Sequence, residues 1–347
     1  MTSSPIHTAR TGDAKAARRM SPMLWRILAF ALLLTLIAAV FQSLTPAYLS
    51  PGNLHALLRH MAVQGLAALG LTFVIVVRQF DLSFPGVASL GAMTLGFLIA
   101  GGHGVGVAVA GAVAVGLVCG LVNGFAVAHL RLPDIVATIA MGGLAVGLAY
   151  FYSNGSSISK NFFMSGILDL NDARYFGLDA PVAILALAAA AAALVLHGSR
   201  FGRAFYATGE NRTSAIFSGI RVKLYVLAAF ALCGGLACLA ITLLVASSGA
   251  ANVSAGNQLL MPAYAAVYLG AALFGAPSVP ATIAGTLLMS AMLNGFTLMA
   301  VPYFYSDAIV STVLIAAIAA FDPKVGAALR RLRAQRTASA PLREARS

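Results

Sequence analysis

GSRFGRAFYATGENRTSAIFSGIRV, residues 198–222, is the long polar and basic interruption between two blocks of otherwise apolar sequence. It carries Arg200, Arg203, Glu210, Arg212 and Arg221. A short helix of its own fits inside it. Thr208 or Asn211 can cap the start by accepting a backbone N–H bond. Gly219 can end it in the left-handed conformation that glycine adopts cheaply, with Ile220 folding back onto Ala215. A short, capped, partly apolar helix between two hydrophobic blocks reads as a docking piece.

The blocks on either side decide the fold class. With 60% hydrophobic residues, 9% charged and 34 glycines in 347 residues, the chain cannot be an ordinary soluble domain, in which about a quarter of residues are charged. Apolar runs of about 20 residues recur along it, more than one globular core can bury. An all-α polytopic membrane protein is expected, with about ten transmembrane helices at 24–44, 54–77, 86–101, 104–128, 133–153, 180–197, 222–248, 258–275, 278–300 and 303–320. The third and eighth are short. A tail over 1–22 precedes the transmembrane domain, 23–321, and a basic tail over 322–347 follows it. The first apolar run lacks a small-residue cleavage pattern and reads as a spanning helix rather than a leader. Cys119, Cys233 and Cys238 all fall inside apolar segments, where cysteine acts as a small hydrophobe, without disulfide or metal spacing.

Lysine and arginine set the orientation, because cytoplasmic connections hold their excess. With the N-terminus inside, nineteen of the 22 fall on the cytoplasmic side, and only Arg59, Lys160 and Arg174 fall outside. Both termini and the 198–222 segment are thus expected in the cytoplasm. The longest outer loop, 154–179, carries Asp169, Asp172 and Asp179. The net charge of +12 follows the topology rather than gathering on one face, so no nucleic-acid partner is expected. Arg330, Arg331, Arg333 and Arg336 suit anionic headgroups of the lipid membrane, at about 1 kcal/mol per basic residue.

The two halves also resemble each other. Leu90-Gly91-Ala92, Asn123-Gly124-Phe125 and Ile135-Val136-Ala137-Thr138 recur in order as Leu269-Gly270-Ala271, Asn294-Gly295-Phe296 and Ile309-Val310-Ser311-Thr312. Spans 3–5 therefore correspond to spans 8–10. A displacement of five spans is odd, so the second copy runs inverted through the membrane, as in transporters whose path lies between such halves. Just before each copy the chain is broken, at Asp81-Leu82-Ser83-Phe84-Pro85-Gly86 and at Asn257 to Pro262. Ser83 can cap a helix whose first turn holds Pro85. Interrupted spans at matching places are the best sequence pointer to a substrate site.

Three long words then carry a family resemblance: GLAALGLTFVIVVRQFDLSFPG, NGFAVAHLRLPDIVATIAMGGLAVGLAY, and SRFGRAFYATGENRTSAIFSGIRV. From about Asn53 to Pro323 the chain resembles the inner-membrane permease subunits of ribose-type ATP-binding-cassette (ABC) importers. The shared features are Asp81-Leu82-Ser83 after the second span, Asn123-Gly124 before the turn with Arg131 and Pro133, and Gly202-Arg203 through Tyr206-Ala207, Gly209, Asn211 and Ser218-Gly219-Ile220. The likeness implies that the 198–222 segment couples the permease to a cytoplasmic ABC ATPase subunit, through Gly209, Glu210, Asn211, Ala215, Ser218 and Gly219. It further implies a second permease copy, identical or paralogous, and a periplasmic sugar-binding protein, all at a bacterial inner membrane. Gln79-Phe80 and Phe84-Pro85 depart from the family's usual residues around Asp81, and the outer loop lacks the Pro- and Gly-rich pattern of sugar permeases.

No G-x-x-x-x-G-K-[ST] phosphate loop is present, so the chain has no ATP site of that kind. It is expected to be no enzyme and to hold no cofactor, with ATP and Mg on the partner ATPase. Asp81 is the sharpest acid, since an ionisable group at a span costs about 2.5–3.5 kcal/mol unless it has a partner or a task. Arg78 is a candidate partner. Asp81, Ser83, Asn123 and Asn294 are the candidate translocation-pathway residues, and the two asparagines serve equally as helix–helix hydrogen bonds. Asp307, beside Tyr303-Phe304-Tyr305, reads as an interfacial anchor, and His55, Arg59 and His60 open the second span with a similar ambiguity. Sparse buried charge argues against proton coupling. The expected function is import of a ribose-like monosaccharide. A furanosyl signal, nucleoside or branched-chain amino acid is the alternative cargo, and a stand-alone secondary carrier or channel the alternative machine.

Overall fold

The computed structural model describes residues 21–175 and 177–321. The basic C-terminal tail and nearly all of the N-terminal one lie outside the described residues, as does the side chain of Asp307. Helices occupy each of the ten apolar stretches: α1 Pro22–Leu44, α2 Pro51–Val76, α3 Phe84–Ala100, α4 Val105–Ala128, α5 Asp134–Ser153, then, after two one-turn helices, α6 Phe162–Ser165 and α7 Asp169–Asp172, α8 Ala180–Leu196. The 198–222 segment forms α9 Arg200–Glu210 and α10 Arg212–Phe217. Beyond it lie α11 Val222–Ser248, a 3-10 turn Ala255–Leu259, α12 Leu260–Phe274, α13 Val279–Leu298 and α14 Tyr303–Phe321. Among the described residues six helices are long and apolar enough to cross a membrane, or seven if α8 and α9, bent by 74°, are taken as one span. The third and eighth apolar helices, α3 and α12, are short, at 17 and 15 residues.

The core is built by small residues. In α4, Gly116, Gly120 and Gly124 stand one turn apart and lie on the backbone of α11 at Gly234, Phe230 and Leu227. In lipid no hydrophobic drive separates helix from acyl chain, so backbones that approach this closely gain by van der Waals contact. Around α2 and α11, the most buried of the six long apolar helices, pack α3, α4, α8 and α13, while α1 keeps its apolar side chains outward. α3 packs on both α4 and α5, and α12 packs on both α13 and α14. Outside the helices a two-stranded hairpin, β1 Arg174–Tyr175 with β2 Leu178–Asp179, closes the 154–179 loop.

Connections meet in two groups. Arg26 donates to the Phe274 carbonyl at 2.7 Å, Phe80 N–H to Asp134 Oδ2 at 2.8 Å, and Tyr206 O–H to the Pro277 carbonyl at 3.0 Å. At the other ends, Asn161 donates to the Ala100 carbonyl, Ile158 bridges Ala251, and Asp179 pairs with His55.

Candidate functional site

The 198–222 segment holds more helix than its polar composition suggests. Ser199 starts α9 by accepting the N–H groups of Phe201 and Gly202, at 3.1 and 3.4 Å. Phe205 anchors α9 edge-on between Phe73 of α2 and Tyr225 of α11. Gly209 lies against the Val76 carbonyl, where a methyl would overlap it. Gly209 and Glu210 thus belong to the last turn of α9, a helix seated across the ends of α2 and α11, and not to the short capped helix.

That short helix is α10. Asn211 caps it, its Oδ1 accepting the Ser214 N–H at 3.0 Å, whereas Thr208 sits buried inside α9 with its hydroxyl on the Ala204 carbonyl. Gly219, at φ 79°, ends α10: its N–H reaches the Ile216 carbonyl and the Ile220 N–H reaches the Ala215 carbonyl, both at 2.9 Å. This paired closure satisfies carbonyls that the helix end would leave bare, and it needs a residue tolerant of positive φ. Ala215 faces inward, while Ile216 and Phe217 are 60% and 87% exposed. Beside α10, a cavity of about 520 Å3 separates Arg212, Ile216 and Lys223 from Arg131 and Asp134 on the α4–α5 turn.

Deeper in, the two chain breaks touch. Gly256, in the 3-10 turn, lies on the Pro85 carbonyl, and its N–H donates to Ser89 Oγ at 3.2 Å. Tyr264, in α12, donates its O–H to the Asp81 carbonyl at 2.9 Å and accepts the Asp81 N–H at 3.1 Å. Asp81 Oδ1 accepts both the Ser83 N–H, at 2.8 Å, and the Ser83 hydroxyl, at 2.6 Å. Ser83 Oγ in turn accepts Asn123 Nδ2 at 2.6 Å. Two expectations are corrected here. Ser83 stands at the start of α3 but makes no cap bond: its backbone is already helical, its hydroxyl donates to Asp81, and its Oγ accepts from Asn123. Arg78 makes no ion pair with Asp81; it is exposed, at φ 57°, and the buried carboxylate is held by hydrogen bonds instead.

Asp81, Ser83 and Asn123 are thus one buried set. Asn294 stands apart, exchanging amide bonds with Asn53 at 2.8 and 3.0 Å across α13 and α2. Both asparagines therefore make helix–helix hydrogen bonds. Beside the crossing of the breaks opens a cavity of about 860 Å3, bounded by α2, the 3-10 turn with the start of α12, α13 and α14. Asn257 to Pro262, singled out as a break, supplies its wall through Asn257, Gln258, Met261 and Pro262.

Sequence reasoning missed a fourth feature, the setting of Asp179. Its side chain, 1% exposed, accepts His55 Nδ1 at 2.7 Å, Arg174 Nε at 3.1 Å and Arg59 Nη2 at 3.5 Å, with Arg59 Nε in ion-pair range at 3.4 Å. Burial pushes the carboxyl up, but the hydrogen bonds and charges of His55 and Arg59 outweigh it and hold it below the usual carboxylate range. The available signal was an acid directly before Ala180-Pro181, with two basic side chains one turn apart at the start of another helix.

The chain is 31% identical over 289 residues to the ribose import permease protein RbsC of Escherichia coli K12, covering 82% of this chain and 90% of that one. It is 32% identical over 314 residues to the autoinducer 2 import system permease protein LsrC of Salmonella typhimurium LT2, covering 89% of this chain and 90% of that one. A solved ABC-transporter chain in an inward-facing conformation overlays 89% of this chain at a TM-score of 0.45 and 15% identity, too loose to carry an argument. The profile of the family described as "Branched-chain amino acid transport system / permease component" matches residues 53–318. This chain belongs to that family of membrane permeases.

Proposed function

We propose that the chain is the membrane-spanning subunit of an ABC importer that admits a monosaccharide or a similarly hydroxylated solute. Two relatives whose names specify ribose and autoinducer 2 support a cargo of that kind. ATP and Mg would be held by a separate ATPase subunit, and solute would arrive on a periplasmic binding protein. The protein would work as a pair of permease copies, identical or paralogous, in the bacterial inner membrane. The ten helices are read as ten spans with both termini cytoplasmic, and the second five as an inverted copy of the first. The matching way in which α3 and α12 each pack on their two successors supports the repeat. We assign Asp81, Ser83, Asn123 and Asn294 to fixing the helices that border the path.

The observation that carries the proposal is α10. It is one and a half turns long, fixed at both ends by Asn211 and Gly219, yet it presents Ile216 and Phe217 almost bare. A helix held rigid with its apolar side chains outward is pre-organised for a groove in another protein, which lowers the ordering cost of docking. Through α9 it bears on the ends of α2 and α11, so closure of the ATPase would push on two helices at the centre of the bundle.

The test is Phe217→Ala combined with Ile216→Ala in the complete importer. Solute uptake and solute-stimulated ATP hydrolysis are expected to fall at least about tenfold, the scale of losing a buried apolar anchor, while the amount of inserted permease stays unchanged. Normal uptake by this variant would refute the coupling assignment.

A further inference from the structure

We propose that the cavity between α2, the 3-10 turn, α13 and α14 is the station at which the transported solute rests, and that it takes a neutral polyhydroxyl solute. The proposal rests on the permease reading above and adds to it the residues that meet the cargo and the charge state they accept.

Position comes first. One side of the 3-10 turn is fixed on the other break, Gly256 against Pro85 and Ser89, while the neighbouring Asn257 and Gln258 line the cavity. Gln64 lies 13 residues into α2, about 20 Å along it at the helical rise, so the cavity reaches well into the bilayer. Transporters built from interrupted helices hold their cargo at such a meeting of two breaks.

Hydrogen-bonding capacity comes second. Gln64 is only 4% exposed and accepts Ser290 Oγ on its Oε1 at 3.2 Å. Its amide nitrogen has no hydrogen-bond partner among the described residues, and the residue lines the cavity. The side chains of His60, Asn257 and Gln258 likewise make no hydrogen bond to the described protein, and Ser306 and Ser311 add hydroxyls from α14. Amides, imidazole and hydroxyls offer donors and acceptors mixed at close range, which is what a ring of alcohol groups requires.

Charge decides the class. None of the described lining residues is Asp, Glu, Lys or Arg. A zwitterionic amino acid would have to leave both its carboxylate and its ammonium without a counter-charge inside the membrane, a penalty far above that of an imperfectly paired hydroxyl. Met261, Pro262, Leu293 and Val301 supply apolar surface for the C–H faces of such a solute. A volume of about 860 Å3 accommodates a monosaccharide together with water.

The experiment uses the complete importer in its native membrane, with D-ribose and L-leucine as probes. Gln64→Leu and Asn257→Leu are each expected to lower D-ribose uptake about tenfold at limiting sugar, without changing basal ATP hydrolysis or the amount of permease. Because Gln64 is buried and its replacement can disturb folding, Asn257→Cys gives an independent readout. A membrane-impermeant maleimide should modify it from outside, and excess D-ribose, not L-leucine, should slow the modification. Should the unaltered importer take up D-ribose while both leucine variants transport normally and D-ribose leaves labelling unchanged, the site assignment falls and the permease reading stands. Protection by L-leucine and not by D-ribose would overturn the neutral-solute class. If the unaltered importer carries L-leucine and not D-ribose, D-xylose or D-galactose, the sugar reading itself falls.

Discussion

Asp179 stands one residue before α8, where a side chain usually caps the helix, yet it makes no cap bond and turns to His55, Arg59 and Arg174. It thereby ties the β1–β2 hairpin to the start of α2. Because these partners hold its pKa below the unfolded value, its stabilisation is fully present above about pH 3.9 and is lost as pH falls through the lower folded value. Thermal unfolding of the purified protein should therefore show no contribution from Asp179 to pH dependence between pH 7 and 5. Asp179→Asn should lower stability at neutral pH by about 1 kcal/mol, since His55, Arg59 and Arg174 are partly exposed and water can replace the lost charge, and should flatten the acid limb. An acid limb unchanged in the variant would sink this assignment. The Asn53–Asn294 pair makes a smaller claim. A double-mutant cycle to alanine should give a coupling of about 0.6 kcal/mol, typical of interhelical hydrogen bonds in membranes, measured by reversible unfolding in mixed micelles; a coupling of zero would mean the pair is incidental.

At the scale of elements, the closest approach of the two breaks is at a glycine. A methyl at Gly256 would overlap the Pro85 carbonyl, a backbone atom that cannot turn aside. Gly256→Ala should therefore cost about 1–3 kcal/mol, as overpacking does, whereas Gly106→Ala, with nothing near the added methyl, should be neutral or slightly stabilising. Equal melting temperatures for the two variants would contradict the contact. Both breaks were legible in the chain because Pro85 and Pro262 interrupt apolar runs, and so were the ten helical stretches and the Gly219 end of α10, while its start lay open between Thr208 and Asn211. Their mutual contact was not legible, since it joins residues about 170 positions apart and no local pattern encodes it. α9 escaped notice for another reason. Its inward residues, Gly202, Ala204, Phe205 and Thr208, do recur at helical spacing, but the arginines and glycines around them make the whole segment read as a polar connection between spans. The cavity was half visible: Asn257 to Pro262 marked one wall, but Gln64 reads as an isolated amide until α13 brings Ser290 beside it.

For the whole molecule, the contacts between connections act as a constraint on topology. Arg26 with Phe274, Phe80 with Asp134 and Tyr206 with Pro277 join segments that the distribution of lysine and arginine assigns to one side; Asn161 with Ala100, Ile158 with Ala251 and Asp179 with His55 join segments assigned to the other. Charge bias and chain contacts are separate sources, and an odd number of spans between any of these pairs would set them in conflict. The shorter helices α3 and α12 must then each count as a crossing, although both are too short to meet the bilayer alone without the irregular turns before them. Non-helical backbone at that depth is tolerable where protein covers it, as Asp81, Ser83 and Gly256 are covered. Single cysteines at Lys160 and Arg221 distinguish the arrangements. In intact cells stripped of the outer membrane, a membrane-impermeant maleimide should modify Lys160→Cys directly and Arg221→Cys only after permeabilisation, with the native cysteines, which are buried or half-buried, giving a low background. Modification of both positions in intact cells would leave an even number of spans between them, and the inverted relation of the two halves would fail with it.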